Sequence, residues 1–78
     1  MKNIENFFTI KLCSDSEYNE LVVDVYWKNY PLAMLSCDKG PENIEIEIYP
    51  PPEDQSSWKF TLSEITNVLE AAKNYLLE

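Results

Sequence analysis

Apolar and polar side chains alternate along residues 6–13 and 20–27, a mostly apolar run follows at residues 30–37, and the alternation returns at residues 43–49. The last segment, NIEIEIY, is the most regular, because isoleucine occupies every second position and a glutamate or tyrosine follows each isoleucine. A period of two residues is the spacing of a half-buried β-strand. The pattern predicts four strands, and the short polar segments between them favour an antiparallel meander.

Only Lys28 and Asn29 separate the second segment from the third. This spacing predicts a tight hairpin, since asparagine tolerates the positive φ that two-residue turns require. The resulting register pairs Trp27 with Tyr30, Val25 with Leu32 and Val23 with Met34. On the other face it pairs Tyr26, Asp24 and Val22 with Pro31, Ala33 and Leu35.

A helix is predicted after the prolines at 50–52, which end the fourth strand because proline donates no backbone hydrogen bond. Thr61 and Glu64 have the spacing of a capping box, and Phe60 and Ile65 have that of a hydrophobic staple. Apolar residues then recur at helical spacing, at Leu62, Ile65, Val68, Leu69, Ala72, Tyr75 and Leu76. Residues 58–60 fit either a short fifth strand or an extended approach to this helix.

These elements predict an α+β fold: a single domain over residues 1–78, with an antiparallel four- to five-stranded β-meander and one C-terminal helix packed on one face. A chain of 78 residues is too short to build a second core. We expect the helix to cover the sheet face formed by Phe8, Ile10, Leu12, Val23, Val25, Leu32, Met34, Ile44, Ile46 and Ile48. No element remains to cover the second face, which would display Phe7, Val22, Tyr26, Ala33 and Leu35.

The charge balance excludes several classes of function. Six lysines stand against 14 acidic residues, there is no arginine or histidine, and the net charge is −8. Such a chain repels the phosphates of nucleic acid, so we expect no direct nucleic-acid binding. Without histidine the chain lacks the commonest metal ligand and general base, and without arginine it lacks the side chain best suited to binding phosphate. We therefore expect no catalytic residue, metal site or cofactor, and a protein that is not an enzyme.

The cysteines and the N-terminal residues bear on the cellular compartment. Cys13 and Cys37 are too few for a disulfide scaffold and are not in C-x-x-C spacing, so we expect two reduced thiols. The N-terminal residues lack the apolar core and cleavage site of a signal peptide. No run of about 18 apolar residues is present, and we expect a cytoplasmic protein with no membrane partner.

The remaining candidate chemistry lies on the open face of the predicted sheet. Glu45 and Glu47 share one side of the fourth strand, and carboxylates so placed could bind a divalent cation or act in acid–base catalysis. A solvated, charged strand face is the more ordinary interpretation. Aromatic side chains among carboxylates are also typical of a surface that binds a basic protein. The candidate partner-binding residues are Asp24, Tyr26, Glu45, Glu47 and Tyr49.

Four segments of the chain are distinctive: YWKNYPLAML at 26–35, NIEIEIYP at 43–50, WKFTLSEI at 58–65 and AAKNYL at 71–76. Together they resemble small bacterial immunity proteins, the antidotes encoded beside the toxins of contact-dependent growth inhibition and related polymorphic-toxin systems. The resemblance extends over most of the chain, from about residue 20 onward. It implies a protein that binds one cognate toxin, often a nuclease with a basic cleft, and blocks its active site or its access to substrate.

Two other functions fit the same features. Another acidic inhibitor, such as a phage-encoded nucleic-acid mimic, would space its carboxylates like phosphates on a continuous surface. A structural or assembly module would bury the open sheet face in a homodimer. The sequence leaves open whether the chain is a monomer or a homodimer, and which surface binds a partner. The other candidate surfaces are the helix face with Glu64, Asn67, Glu70 and Asn74, and the loop at 50–57.

Overall fold

The computed structural model describes the backbone of residues 2–4 and the whole of residues 7–78. Its strands are β1 (Lys2–Ile4), β2 (Phe8–Cys13), β3 (Val22–Trp27), β4 (Tyr30–Ser36) and β5 (Glu45–Ile48), followed by the helix α1 (Leu62–Leu77). The strands form one sheet in the order β1-β2-β3-β4-β5, and all neighbouring pairs are antiparallel. The predicted α+β meander with one C-terminal helix is confirmed.

The fifth strand is β1 and does not lie at residues 58–60. Three residues are too few to show an alternating pattern, so the sequence did not reveal β1. Residues 58–60 are instead an extended approach to α1. Trp58 Nε1 donates a hydrogen bond of 2.8 Å to the carbonyl of Tyr49, and the Phe60 ring packs 5.1 Å from that of Phe8. The predicted strand start at residue 6 lies outside the described residues.

The hairpin between β3 and β4 turns where the sequence predicts. Lys28 and Asn29 have φ values of 50° and 71°, which is the left-handed backbone that a two-residue hairpin turn requires. Trp27 lies opposite Tyr30, as expected. The turn therefore fixes the first pair of the register correctly.

Tyr26 also lies opposite Pro31, as predicted, but beyond that pair the predicted register is wrong by one residue, because β4 contains a β-bulge. The pairs on either side of the bulge are Tyr26 with Pro31 and Val25 with Ala33, which leaves Leu32 as the extra residue. Pro31 has no N–H to donate, and the ladder is interrupted directly after it. Ala33 and Leu35 consequently face the helix and Met34 faces the other side, the reverse of the prediction.

The helix begins as its capping box predicts. Thr61 Oγ1 accepts a hydrogen bond of 3.1 Å from the Glu64 N–H, and Glu64 Oε1 accepts one of 3.2 Å from the Thr61 N–H. These two bonds satisfy backbone donors that the first turn of a helix leaves open. Within residues 2–4 and 7–78, no helix combines the length and the apolar character needed to cross a membrane.

The core lies between α1 and the middle of the sheet, since the helix packs across β2, β3 and β4. Its buried members are Phe8, Ile10, Val23, Val25, Leu32, Ala33, Leu35, Val68, Ala72 and Leu76. Ile46 and Ile48 were predicted to belong to it, but they are 43% and 66% exposed. A helix about 10 Å across covers only two or three strands spaced about 4.8 Å apart, and β5 lies beyond its reach.

The second face of the sheet is partly covered, contrary to the prediction. Val22 and Met34 on this face are buried, and Tyr18 of the β2–β3 loop (residues 14–21) lines a cavity together with Met34. Two hydrogen bonds hold this loop: the carboxylate of Asp38 accepts from the N–H groups of Asn19 and Glu20, at 3.0 and 2.9 Å. Of the residues predicted to be displayed here, Val22, Ala33 and Leu35 are buried. Phe7 precedes β2, is 69% exposed and has a φ of 73°.

Candidate binding face

The five predicted partner-binding residues share the side of the sheet opposite the helix. Asp24 and Tyr26 alternate with core residues along β3, and Glu45 and Glu47 do so with isoleucines along β5. Tyr49 follows β5 with the same alternation, and its N–H donates to the carbonyl of Leu32 at 2.9 Å. We call this surface the acidic face and define it as Asp24, Tyr26, Glu45, Glu47 and Tyr49, with Asp15 and Tyr18 of the β2–β3 loop beside them.

Strand pairing sets the positions of the carboxylates. A row of directly opposed residues crosses four strands, in the order Lys11, Asp24, Met34 and Glu47. Asp24 and Glu47 are thus separated by one strand, or roughly 10 Å between backbones. The buried Met34 lies between them, and Lys11 lies on the far side of Asp24. The result is an apolar centre with a carboxylate on either side.

Asp24 is held in place by a neighbouring thiol. Cys13 Sγ donates a hydrogen bond of 3.0 Å to Asp24 Oδ2. Burial, reinforced by this hydrogen bond and by the charge of Asp24, raises the pKa of the Cys13 thiol to about 11. Burial and then the charge of Asp24 also raise the pKa of Tyr26. Both groups are therefore protonated at neutral pH, and a hydrogen-bonded carboxylate loses less freedom when a partner binds it.

Tyr49 lies close to Glu47 and Asp24 on the acidic face. Burial is the largest cause of its raised pKa, and the negative charges of Glu47 and Asp24 raise the pKa further. A shallow cavity of about 240 Å³ separates Tyr49 from Asp24 and Tyr26. The phenol is neutral at physiological pH, so it offers a partner both an aromatic surface and a hydroxyl.

The two glutamates of β5 differ in their surroundings. Glu45 Oε2 lies 2.9 Å from Lys39 Nζ, and this hydrogen bond raises the pKa of Lys39. Glu47 forms no ion pair with any residue that the structure describes. No described cation therefore compensates the charge of Glu47, while the exposed Lys39 compensates that of Glu45.

The acidic face offers carboxylates and hydroxyl groups but no arrangement for metal chemistry. Among the residues described, no three histidine, cysteine, aspartate or glutamate side chains are grouped so as to hold a metal ion. The raised pKa of Cys13 also works against nucleophilic chemistry, since the thiolate is the reactive form. The geometry supports recognition of a partner by charge, hydrogen bonds and aromatic contact.

The alternation along the chain did not predict a second surface, because it favoured a position for β5 beneath the helix. Ile46 and Ile48 instead line an apolar groove between β5 and α1, which we call the edge groove. Its volume is about 280 Å³, and Trp58, Ile65 and Leu69 form its other wall. Thr66 and Lys73 lie on the same side of α1 and are polar. Their positions in the sequence could have indicated that the apolar stripe of the helix is too narrow to reach β5.

Comparisons with models of protein families, with curated proteins and with solved structures found no match to this chain.

Proposed function

We propose that this chain is an immunity protein, which binds a cognate toxin in the bacterial cytoplasm and blocks the toxin's active site or its access to substrate. The toxin is a basic protein, and a nuclease domain fits best, because a nuclease cleft is lined with cations that bind phosphates. The chain acts as a binding partner and not as an enzyme. It needs neither metal nor cofactor for this role.

The observation that supports the proposal is the composition of the acidic face. Carboxylates of Asp24 and Glu47 flank the apolar Met34, Tyr26 and Tyr49 lie beside them, and Cys13 donates a hydrogen bond to Asp24. A partner would place lysine or arginine against the carboxylates and apolar groups against the centre. Aromatic groups surrounded by polar side chains are the usual composition of tight interfaces.

The charge of the whole chain supports the same function. A net charge of −8 on 78 residues creates a negative field that draws a basic partner toward the protein. Fast capture suits an antidote, which must reach the toxin before the toxin reaches its substrate. The same field keeps the chain itself away from nucleic acid.

The test is protection by co-expression with the product of the neighbouring gene, since immunity genes lie beside toxin genes. We expect that product to stop bacterial growth when expressed alone, and growth to resume when this chain is co-expressed. In vitro, purified chain should abolish the toxin's nuclease activity at one molecule of inhibitor per molecule of toxin.

An unrelated nuclease is the matched control for specificity. An immunity protein should leave that enzyme active, whereas a general nucleic-acid mimic should inhibit both. A neighbouring product that is harmless, or whose toxicity this chain does not reduce, would contradict the proposal.

A further inference from the structure

The outer edge of β5 is an open strand edge. β5 is last in the strand order, and no described residue pairs with its outer side. The Tyr49 N–H points toward β4, and backbone groups alternate in direction along a strand. The N–H and carbonyl groups of Ile46 and Ile48 therefore point outward, where they are available to an added strand.

The two sides of this edge have different chemistry. Toward the helix, the exposed Ile46 and Ile48 adjoin the edge groove. Toward the acidic face project Glu45 and Glu47, which alternate with the isoleucines along β5. Glu47 forms no ion pair with a described lysine. Cross-strand neighbours on one face are in direct contact. An added strand that matches β5 would thus alternate apolar side chains, against the isoleucines, with lysine or arginine, against the glutamates.

A second copy of this chain is a poor occupant of the same edge. An antiparallel pairing that places Ile46 opposite Ile46 or Ile48 of the second copy also places Glu47 opposite Glu45 or Glu47. Like charges directly opposite each other destabilise a sheet. Both copies would also carry the net charge of −8. Charge complementarity selects a basic segment from another protein.

We infer that β5 is a docking strand, to which the partner adds an extended segment of alternating apolar and basic residues as a sixth, antiparallel strand. This inference rests on the proposed function for the basic character of the partner. It adds the mode of recognition: backbone hydrogen bonds to Ile46 and Ile48, apolar contacts in the edge groove and ion pairs with Glu47.

A synthetic peptide tests the docking strand without knowledge of the toxin. The probe is acetyl-Lys-Val-Lys-Val-Lys-Val-amide, and the control is a peptide of the same composition with the lysines and valines in separate blocks. Binding is followed by NMR on the full chain. We expect the alternating peptide to shift the amide signals of Ile46 and Ile48 and to slow their hydrogen exchange, and the block peptide to cause neither effect.

Backbone methylation of the peptide separates strand addition from charge attraction. In an antiparallel pair the valines opposite the isoleucines point their N–H groups at β5, while the lysine N–H groups point away. Methylation of the valine nitrogens should weaken binding by about tenfold or more, the effect of losing two or three hydrogen bonds. Methylation of the lysine nitrogens should leave it nearly unchanged.

Variants of the chain complete the test. Ile48→Lys adds a cation at an exposed position on the docking strand and should abolish peptide binding. Leu62→Lys adds the same charge at an 80% exposed position at the start of α1 and should preserve it. The inference that β5 is a docking strand would be overturned if the alternating peptide failed to bind, or if both methylated peptides bound equally well. Neither result bears on growth protection, which tests the proposed function separately.

Discussion

At the scale of single residues, the contact between Asp24 and Cys13 makes a prediction about reactivity. In a Cys37→Ser variant, the alkylation rate of Cys13 should rise with pH along a titration curve, and the midpoint of that curve should lie at a pH of about 11. Asp24→Asn should lower that midpoint, because the charge and the hydrogen-bonded carboxylate are removed. It should stay above the ordinary value of 9.0, because burial, the largest cause, remains. An unchanged midpoint in the variant would contradict the Cys13–Asp24 contact.

The same thiol links the fold to pH. Its folded pKa lies above the ordinary value, so the folded chain retains a proton that the unfolded chain releases. The stabilisation is fully present below pH 9.0 and is lost as the pH rises through about 11. Burial raises the pKa of Tyr26 and Tyr49 in the same direction, so these phenols add to the loss of stability at high pH.

At the scale of elements, two isoleucines on the helix side of the sheet provide a matched pair of substitutions. Ile10 on β2 is 1% exposed and Ile48 on β5 is 66% exposed. Ile10→Ala should lower the free energy of unfolding by about 2–5 kcal/mol. Ile48→Ala should change it by about 0.5 kcal/mol or less, as expected for an exposed side chain. Chemical denaturation measures both, and equal losses would show that α1 covers β5 after all.

The elements also show how far the sequence could predict the fold. Local signals, such as the Lys28-Asn29 turn and the Thr61–Glu64 capping box, were sufficient. The bulge was hidden because residues 32–35 are all apolar, so either register of β4 buries hydrophobic side chains. The period of residues 43–49 revealed two faces for β5 but not that β5 lies beyond the helix.

The candidate site, like the fold, could be predicted from local sequence patterns only in part. Alternation along β3 and β5 was enough to predict that Asp24, Tyr26, Glu45 and Glu47 share a face. The hydrogen bond from Cys13 to Asp24 joins residues on two strands and depends on their register, which the pattern did not reveal. The edge groove depends on the lateral limit of the helix, and local periodicity carries no information about that limit.

At the scale of the whole molecule, the net charge makes a prediction about kinetics. Glu53 and Asp54, in the proline-rich loop, are exposed and lie outside the acidic face. Neutralising them with Glu53→Gln and Asp54→Asn should slow association with the proposed toxin and weaken the dependence of the association rate on salt, with little effect on dissociation. Stopped-flow measurements at several salt concentrations would check this. An unchanged association rate would indicate that the field of the chain does not guide binding.

The most direct test of the central claim is the dissociation constant of the complex with the proposed toxin, measured for two triple variants. Asp24→Asn, Glu45→Gln, Glu47→Gln removes three carboxylates from the acidic face, whereas Glu53→Gln, Asp54→Asn, Glu70→Gln removes the same three charges elsewhere. Loss of a single carboxylate paired in a desolvated contact costs about 2–5 kcal/mol, mainly through faster dissociation. We therefore predict that the acidic-face variant, folded as judged by circular dichroism, binds at least about thirtyfold more weakly than the control variant. Equal affinity of the two variants would contradict the assignment of the acidic face as the binding site.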